Sequence, residues 1–474
     1  MSNPFLYRLS LKGISLLAMA HFCGATFAQG SDPATLSPYL RMKYTEKQLT
    51  HSANGHTLNN IQAFSKDGDW LVYDTRNDDT KIGSTGSIEV VHTRTGLVKV
   101  LYKTANQSEF GPGVGAAAFS PVKDEVIFIQ GIRNANAQRP YSLTRRTGVA
   151  IDLAQPNKPI YMDARDVTPP FTPGALRGGT HAHSWSGDGQ LLSFTYNDYI
   201  LEQAAKKDST LADLRMVAVM VPGNVVVAQD PSLENNSGAM FSVVITQVTE
   251  HPVKGSDEIS KAFDECWIGR EGYVNAAGKR LRYAIAFQGN VLNAAGKTVT
   301  ELFVADLPDE LATIKNGDLL EGTMTSRPNV PPGVKQRRIT FTEHGIEGPR
   351  HWIRSAPNGK ELYFLAKDKK QLVQIFAVSP NGGPIRQVSF NNFSIAGQVN
   401  VSPDGQLLAY AADNSVYVTA VETGKTEAIT VRFADTDKPV GAPAWAPDGK
   451  SIAYNRYVRS DKEAFLQIFL IKLK

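Results

Sequence analysis

The sequence predicts an all-β fold and, within that class, a seven-bladed β-propeller. A phrase close to Ser-Pro-Asp-Gly recurs along the chain, 44 residues apart from Asp404 to Asp448, and a short apolar run follows each copy. Propeller blades repeat about every 40 to 50 residues, and Asp-Gly supplies the positive φ of a tight turn between two strands. The clear copies lie at 185–189, 401–405 and 445–449, and degraded copies lie at 64–68, 119–124 and 356–359.

Each repeat unit can hold the four strands of a blade. In the sixth unit, the turn is followed by three runs with strand-like patterns, at 407–410, 415–418 and 427–429. The interval 188–358 is long enough for two units plus an insertion, and the second unit would contain a weak copy of the phrase at 274–278. The count is therefore seven blades, with six as the alternative.

The two ends of the chain are predicted to meet in the last blade. Residues 47–50 resemble 338–340 and 386–389, which stand where outermost strands should end. The last blade lacks such a strand of its own, because the chain stops after the strand-like run 465–471. We therefore expect an N-terminal strand to complete the last sheet and to remove the unpaired edges of an open ring.

The first residues have the layout of a secretory signal peptide. Arg8 and Lys12 precede an apolar stretch and a small-residue cleavage site at 26–28. We expect residues 1–28 to be removed on export to the periplasm or outside the cell. The rest of the chain, residues 40–474, is predicted to be a single propeller domain with no membrane span.

An insertion is expected between blades three and four, at about 197–267. It contains strand-like runs and a predicted short helix, which Ser256 would cap with Glu258 close behind. Ile259, Ala262 and Phe263 would form the apolar side of this helix.

Composition and motifs exclude several function classes. The formal net charge is only +4, so nucleic acid is not an expected partner. The sequence contains no phosphate loop and no dinucleotide fingerprint, and no nucleotide cofactor is therefore expected. It also contains no Gly-x-Ser-x-Gly elbow, which argues against a serine hydrolase. The remaining partners are an acidic small molecule or oligosaccharide, or a periplasmic protein.

Function in a propeller usually lies where the innermost strands begin, because loops from every blade crowd around the channel there. The repeat predicts one such residue per blade, four positions before the Trp of the phrase. Four of these residues are polar, and three are glycines that would keep the mouth open. In blade order they are Asn60, Gly115, His181, Arg270, His351, Gly397 and Gly441.

Two histidines suggest a metal site on the axis. His181 and His183 lie two apart on one predicted strand, so their side chains would project from the same face. With His351 or His344 from another blade, they could bind one divalent metal, manganese or zinc. Alternatively, these polar residues hydrogen-bond to neighbouring blades or to water.

Arginines near the same mouth suggest recognition of a carboxylate, because the guanidinium fork matches its geometry. Arg76, Arg177 and Arg350 are the candidates for a catalytic role. Alternatively, Asp74 and Arg76 pair with each other and brace blade one. The predicted ligand-binding residues are Asn60, Asp74, Arg76, Arg270, Arg350 and Trp352.

Several segments resemble the YidR-like family of bacterial TolB-type β-propellers, whose function is unknown. These segments lie at 73–76, 177–183, 255–259, 266–269, 285–291 and 348–352. The repeat units also resemble, more distantly, those of TolB, a periplasmic propeller that binds protein partners. They are similar as well to oligogalacturonate lyase, which binds manganese through axial histidines and cleaves by β-elimination. That second resemblance implies a metal-binding role for His181, His183 and His351.

The sequence therefore favours an exported, TolB- or WD40-like propeller that acts as a ligand-binding or protein-interaction module. Its axial site would be polar and rich in His and Arg. The alternative is a metal-dependent polysaccharide lyase that acts on acidic oligosaccharides. The two functions differ in whether the His and Arg positions converge on one bound sugar.

Overall fold

A computed structural model describes residues 44–59, 61–228, 230–309, 311, 320–346, 348, 353–460 and 463–473. Within these ranges nearly all regular structure is strand, and the strands form seven sheets of three or four strands that follow one another along the chain. Neighbouring sheets contact each other in chain order, as the blades of a propeller do. The predicted all-β, seven-bladed propeller is confirmed.

The first three blades contain the following strands, from the axis outward. The first strand of the described residues, β1 (Tyr44–Gln48), belongs to blade seven. Blade one contains β2 (Trp70–Asp74), β3 (Ser87–His92) and β4 (Val98–Lys103). Blade two contains β5 (Val114–Phe119), β6 (Glu125–Gly131), β7 (Arg146–Asp152) and β8 (Ile160–Tyr161). A parallel pair, β9 (Ala164–Arg165) and β10 (Ala175–Leu176), precedes blade three. Blade three contains β11 (Gly178–Trp185), β12 (Leu192–Asp198), β13 (Met216–Val225) and β14 (Gly238–Val244).

The other four blades follow the same order. Blade four contains β15 (Ile259–Trp267), a hairpin of β16 (Tyr273–Val274) and β17 (Arg280–Leu281), then β18 (Ala284–Leu292), β19 (Thr298–Asp306) and β20 (Lys335–Arg338). Blade five contains β21 (Arg354–Ser355), β22 (Leu362–Lys367), β23 (Val373–Val378) and β24 (Arg386–Gln387). Blade six contains β25 (Asn400–Val401), β26 (Leu407–Ala412), β27 (Ser415–Ala420) and β28 (Thr426–Ala428). Blade seven contains β29 (Pro439–Trp445), β30 (Ser451–Ser460) and β31 (Glu463–Leu473), with β1 outermost.

The recurring phrase forms a hydrogen-bonded turn between the first and second strands of a blade. Ser186 Oγ donates to Asp188 Oδ1 at 2.7 Å and accepts the backbone N–H of Leu191 at 3.0 Å. Gly189 follows with a φ of 65°, which a glycine adopts without a Cβ penalty. The copy at 402–407 repeats both serine hydrogen bonds. The phrase is therefore a structural repeat whose serine and aspartate are hydrogen-bonded within the turn.

Apolar contacts between blades form the core. Each of the seven blade interfaces holds one buried apolar cluster. Leu71 and Tyr73 of blade one, for example, pack against Ile468 and Leu470 of blade seven. Every blade therefore depends on both neighbours to bury its faces, as expected of repeat architectures.

The ring is closed as predicted, by an N-terminal strand. β1 pairs antiparallel with β31 over its whole length. A polar clasp lies beside this pairing: Asn455 Oδ1 accepts the backbone N–H of Leu58, and Asn455 Nδ2 donates to the carbonyl oxygen of His56, each at 2.8 Å. The His56 ring in turn hydrogen-bonds the carbonyl oxygen of Leu466 at 3.0 Å. These contacts join the two ends of the described chain.

A β-bulge interrupts the innermost strand in blades two, three, four and seven. In three of these blades the bulge contains a left-handed residue with a Cβ: Ala116, Ala182 and Asp264 have φ values of 54°, 57° and 52°. That conformation costs about 1–2 kcal/mol for such residues. A bulge also redirects the side chains that follow it along the strand.

Much of the segment predicted as an insertion, at 197–267, builds strands of the blades. β13 and β14 complete blade three, and β15 opens blade four. The helix expected after Ser256 is wrong, since 259–267 form β15. Two bulges in β15 break the alternation of its side chains, which made its apolar spacing resemble a helix. The helix found in this segment is α1 (Tyr199–Ala205), capped by Asp198, which accepts the N–H of Leu201 at 3.0 Å.

Removing β1 is expected to destabilise the whole propeller. A chain that begins at Leu49 lacks β1 and leaves the edge of β31 unpaired, so its melting temperature should fall by about 5 °C or more. Differential scanning calorimetry would measure this against a chain that begins at Met42, which keeps β1. Equal melting temperatures for the two chains would contradict closure by β1.

Candidate ligand-binding site

The central channel opens into a cavity at the end where the innermost strands begin. This entrance cavity has a volume of about 330 Å³, and its described lining comes from blades one, two, three, six and seven. Asn59 and Arg76 come from blade one, His181 from blade three, Gln398 from blade six and Tyr457 from blade seven. Ligand pockets commonly measure about 300–1,000 Å³, so the cavity suits a small molecule.

Asp74 and Arg76 form a buried ion pair at the wall of this cavity. Arg76 Nε donates to Asp74 Oδ1 at 2.6 Å and Arg76 Nη2 to Asp74 Oδ2 at 2.8 Å, while Ala116 N donates to the same carboxylate at 2.9 Å. Burial opposes the charge of Arg76, but the Asp74 carboxylate outweighs it and raises the pKa of Arg76. Arg76 is only 4% exposed, and its Nη1 also donates to the Asp79 carbonyl at 2.8 Å. The bracing role is therefore the one observed, and the guanidinium fork is already occupied.

All three side-chain nitrogens of Arg177 also donate hydrogen bonds within the protein. Its Nε donates to Asp198 at 2.9 Å, and its terminal nitrogens donate to the carbonyl oxygens of Thr323 and Ser326. It is buried and does not belong to the described lining of the entrance cavity. Arg177 therefore anchors the connection between β19 and β20 to blade three, and its guanidinium is already occupied by these contacts.

The two histidines of blade three lie in different environments, because the bulge at Ala182 separates them. His181 lines the entrance cavity. His183 is fully buried, with Nε2 2.9 Å from Thr180 Oγ1 and its ring beside Phe194. Burial, and then the charge of Arg146, lower the pKa of His183 to about 3, so this ring is neutral. The prediction that both imidazoles project from one face is therefore wrong.

Arg270 lies at the opposite mouth of the channel. It is exposed and borders a second axial cavity of about 470 Å³, lined by residues of all seven blades. Its predicted register is wrong, because the innermost strand of blade four ends at Trp267 as that of blade three ends at Trp185. The residue that corresponds to His181 is Phe263. The weak copy of the phrase at 274–278, from which the register of blade four was predicted, belongs to the β16–β17 hairpin.

The remaining predicted residues, Asn60, Arg350, His351 and Trp352, lie outside the described residues. Their roles stay predictions. His344, the alternative third metal ligand, is exposed beside Glu343. The described residues contain no group of three or more His, Cys, Asp or Glu side chains placed to hold a metal.

Two amide side chains that line the entrance cavity were not predicted from the sequence. Asn59 is 9% exposed and Gln398 is 8% exposed, and both line the cavity. Neither side chain hydrogen-bonds to another described residue, so the polar atoms of both amides are left to the cavity that they line. Both lie one residue from positions that the repeat singled out, Asn60 and Gly397. The repeat position itself lines the cavity at His181, Gly397 and Gly441, so the predicted register holds in blades three, six and seven.

The comparisons with known proteins agree with the fold. Residues 113–234 match a family described as a protein of unknown function, DUF3748. Over 425 residues the chain is 35% identical to the uncharacterized protein YidR of Escherichia coli strain K12, covering 88% of this chain and 96% of YidR. The chain belongs to the YidR family.

Solved structures extend the likeness of this YidR-family chain to other propellers. An oligogalacturonate lyase in complex with manganese aligns over 91% of this chain and 96% of its own, with 13% identity and a TM-score of 0.52. The lyase of Vibrio parahaemolyticus aligns over the same shares with 11% identity and a TM-score of 0.51. A TolB from Agrobacterium tumefaciens aligns over 79% of this chain and 99% of its own at 14% identity, and its TM-score of 0.40 is too low to carry an argument. At these identities the likeness shows the fold alone.

A buried carboxyl in blade four should make stability depend on pH. Glu265 occupies the position of His183, and neither of its oxygens has a hydrogen-bond partner among the described residues. Burial raises the pKa of Glu265 to about 8. A raised acid pKa favours folding while the group stays protonated, so this contribution is complete below about pH 4 and is lost as the pH rises through 8.

The Glu265→Gln variant should therefore gain melting temperature relative to wild type between pH 5 and pH 9. Thermal denaturation across that range would measure the difference, with the exposed Glu422→Gln as the matched control. Parallel wild-type and Glu265→Gln curves would show that the carboxyl ionises as easily as one in water.

Proposed function

We propose that this chain is an exported binding protein whose entrance cavity holds a small, hydroxyl-rich ligand of about mono- or disaccharide size. The observation that carries this proposal is the pair of unpartnered amides, Asn59 and Gln398. Neither amide hydrogen-bonds within the described protein, so both are available to a ligand that enters the cavity. Sugar hydroxyls both donate and accept, so they can satisfy the two groups of each amide.

The surroundings of the amides also suit a small ligand. Tyr457 donates its hydroxyl proton to the carbonyl oxygen of Asn77 at 2.8 Å, which leaves its oxygen able to accept. Ala116 and Ala442 line the same cavity and are too small to fill it. These residues lie on or beside strands of several blades, so the walls are rigid before a ligand arrives.

The positions of the unpartnered groups favour a small ligand over a protein partner. The amides lie inside the cavity and are more than nine-tenths buried, whereas a protein would dock on an exposed rim. The lyase alternative has less support from the described residues. His183 is withdrawn into a blade interface, and Arg76 and Arg177 both bind carboxylates of the protein.

Replacing one amide should weaken ligand binding. Neutral and acidic mono- and disaccharides would be screened by thermal shift, and hits measured by isothermal titration calorimetry. We expect Gln398→Leu to lower affinity for the hit about tenfold, because one buried hydrogen-bonding side chain is lost. The exposed Gln406→Leu, at the turn end of blade six, is the matched control and should bind as wild type does. Failure of every sugar to bind, or unchanged affinity in Gln398→Leu, would overturn the proposal.

Export should leave a defined N-terminus. Arg8, Lys12 and the apolar stretch that follows predict cleavage after Ala28, so intact mass spectrometry of the periplasmic protein should show a chain that begins at Gln29. Introducing charges by Leu16→Arg with Leu17→Arg should abolish export and leave the full chain in the cytoplasm. An uncleaved wild-type chain in the cytoplasm would contradict the predicted signal peptide.

A further inference from the structure

Three basic side chains lie together where blades two, three and four meet near the entrance. Arg146 begins β7, Arg215 directly precedes β13, and Lys261 lies in β15. Arg146 acts electrostatically on Arg215, and Arg215 acts on Lys261. None of the three forms an ion pair with a described residue, in contrast to Arg76 and Arg177.

Arg146 and Arg215 occupy equivalent positions in successive blades. In blade two, Ile129 of the second strand pairs with Gly148 of the third. In blade three, Thr195 of the second strand pairs with Val217 of the third. Ile129 and Thr195 are themselves equivalent, because each pairs with the residue just before the bulge of its inner strand. Arg146 lies two positions before Gly148, and Arg215 lies two positions before Val217. The two arginines therefore occupy the same level of the strand register in neighbouring blades.

Arg146 is the buried end of this cluster. It is 2% exposed, and its Nε and Nη2 have no hydrogen-bond partner, while Nη1 donates to Tyr141 OH at 3.1 Å. An unpaired buried guanidinium is costly and is rarely left so in proteins. These two nitrogens form one side of the guanidinium fork, the arrangement that binds an oxyanion in two places.

Arg215 and Lys261 connect this buried charge to solvent. Both are only partly buried. Arg215 Nε donates to Asn197 Oδ1 at 2.9 Å, and the Lys261 ammonium lies 4.4 Å from the centre of the Phe263 ring. Burial, and next the charge of Arg146, lower the pKa of Arg215, whereas burial and then Arg215 lower that of Lys261. Such mutual repulsion is relieved when an anion binds between the charges.

The acidic groups nearby do not neutralise the cluster. Asp264 and Asp213 act on Arg215, but Asp213 is held by Asn197 Nδ2 and by the backbone N–H of Asp198, each at 2.7 Å. Glu265 is protonated at neutral pH, because burial raises its pKa to about 8. Three cations therefore face two carboxylates, and Arg146 pairs with neither.

The cluster adjoins the entrance cavity through Tyr141. The Tyr141 hydroxyl accepts a hydrogen bond from Arg146 Nη1, and Tyr141 packs against Gly83, where a Cβ would lie 3.1 Å from Tyr141 Cβ. Tyr141 also packs against Ile82 and Ala116, which both line the entrance cavity. A ligand in the cavity and an anion on the cluster would therefore be neighbours.

We propose that Arg146, Arg215 and Lys261 form an anion subsite that binds the acidic group, a carboxylate, sulfate or phosphate, of the ligand held in the entrance cavity. This inference rests on the proposed function, since it names the chemical class of the ligand as an acidic sugar. The amides recognise hydroxyl groups, and the cluster supplies the charge that Arg76 cannot offer.

The first experiment uses simple anions and needs no sugar. Melting temperatures of the mature exported protein are measured in sodium sulfate, phosphate, acetate and chloride at matched ionic strength. We expect a saturable rise over chloride with at least one oxyanion, and loss of that rise in Arg215→Gln and Lys261→Gln, which are partly exposed and should fold. Arg146→Gln should melt higher than wild type in chloride, because it removes an unpaired buried charge, and should also lose the oxyanion response. The exposed Arg432→Gln controls for general salting effects.

The second experiment compares glucose, glucuronate and glucose 6-phosphate by isothermal titration calorimetry. We expect one acidic sugar to bind about tenfold tighter than glucose, and Arg215→Gln to remove that advantage without weakening glucose. The preferred acidic sugar then identifies carboxylate or phosphate as the natural group. Equal affinity for neutral and acidic sugars overturns the subsite and leaves the proposed function standing. An oxyanion response without any sugar binding supports the subsite and overturns the proposed function.

Discussion

Pairing of β1 with β31 is the constraint on which the rest of the molecule depends. Each blade buries its two faces only against its neighbours, so an open ring would expose both faces at the break. The entrance cavity lies across this closure, with Asn59 on one side and Tyr457 and Leu466 on the other. The Asn455 clasp fixes the two sides relative to each other. The two ends of the described chain therefore contribute to the site as well as to the fold.

Some buried arginines of this propeller pair with a carboxylate of the protein, and others do not. Arg76 and Arg177 are held by Asp74 and Asp198 within hydrogen-bond distance, and such pairs fix neighbouring segments. Arg146 is as deeply buried but has no carboxylate partner. In a low-dielectric environment that difference is large, because desolvation of an ion is repaid only by close opposite charge. Burial of an arginine is thus no sign of function until its partners are counted.

Local signals in the sequence were enough to predict the fold. The Ser-x-Asp-Gly turn depends on contacts within five residues, and the closing strand follows from counting strands per repeat. The side-chain orientations at the mouth depend instead on the bulges, which arise from pairing between strands and leave no local pattern. Hence His181 and His183 were predicted on one face, and Asn59 and Gln398 were missed by one residue. Arg146 and Arg215 were missed because no turn phrase marks the third strand of a blade, and their equivalence is visible only in the strand pairing.

The bulge of the innermost strand gives one strand two separate tasks. His181, at the start of the bulge, belongs to the wall of the channel. Two positions further along the innermost strand, His183 in blade three and Glu265 in blade four are buried in the contact between blades. A substitution before the bulge changes what the channel presents to a ligand, whereas a substitution after it changes how tightly two blades adhere. Recognition and stability can therefore vary independently in this chain, although the two positions lie only two residues apart on the same strand.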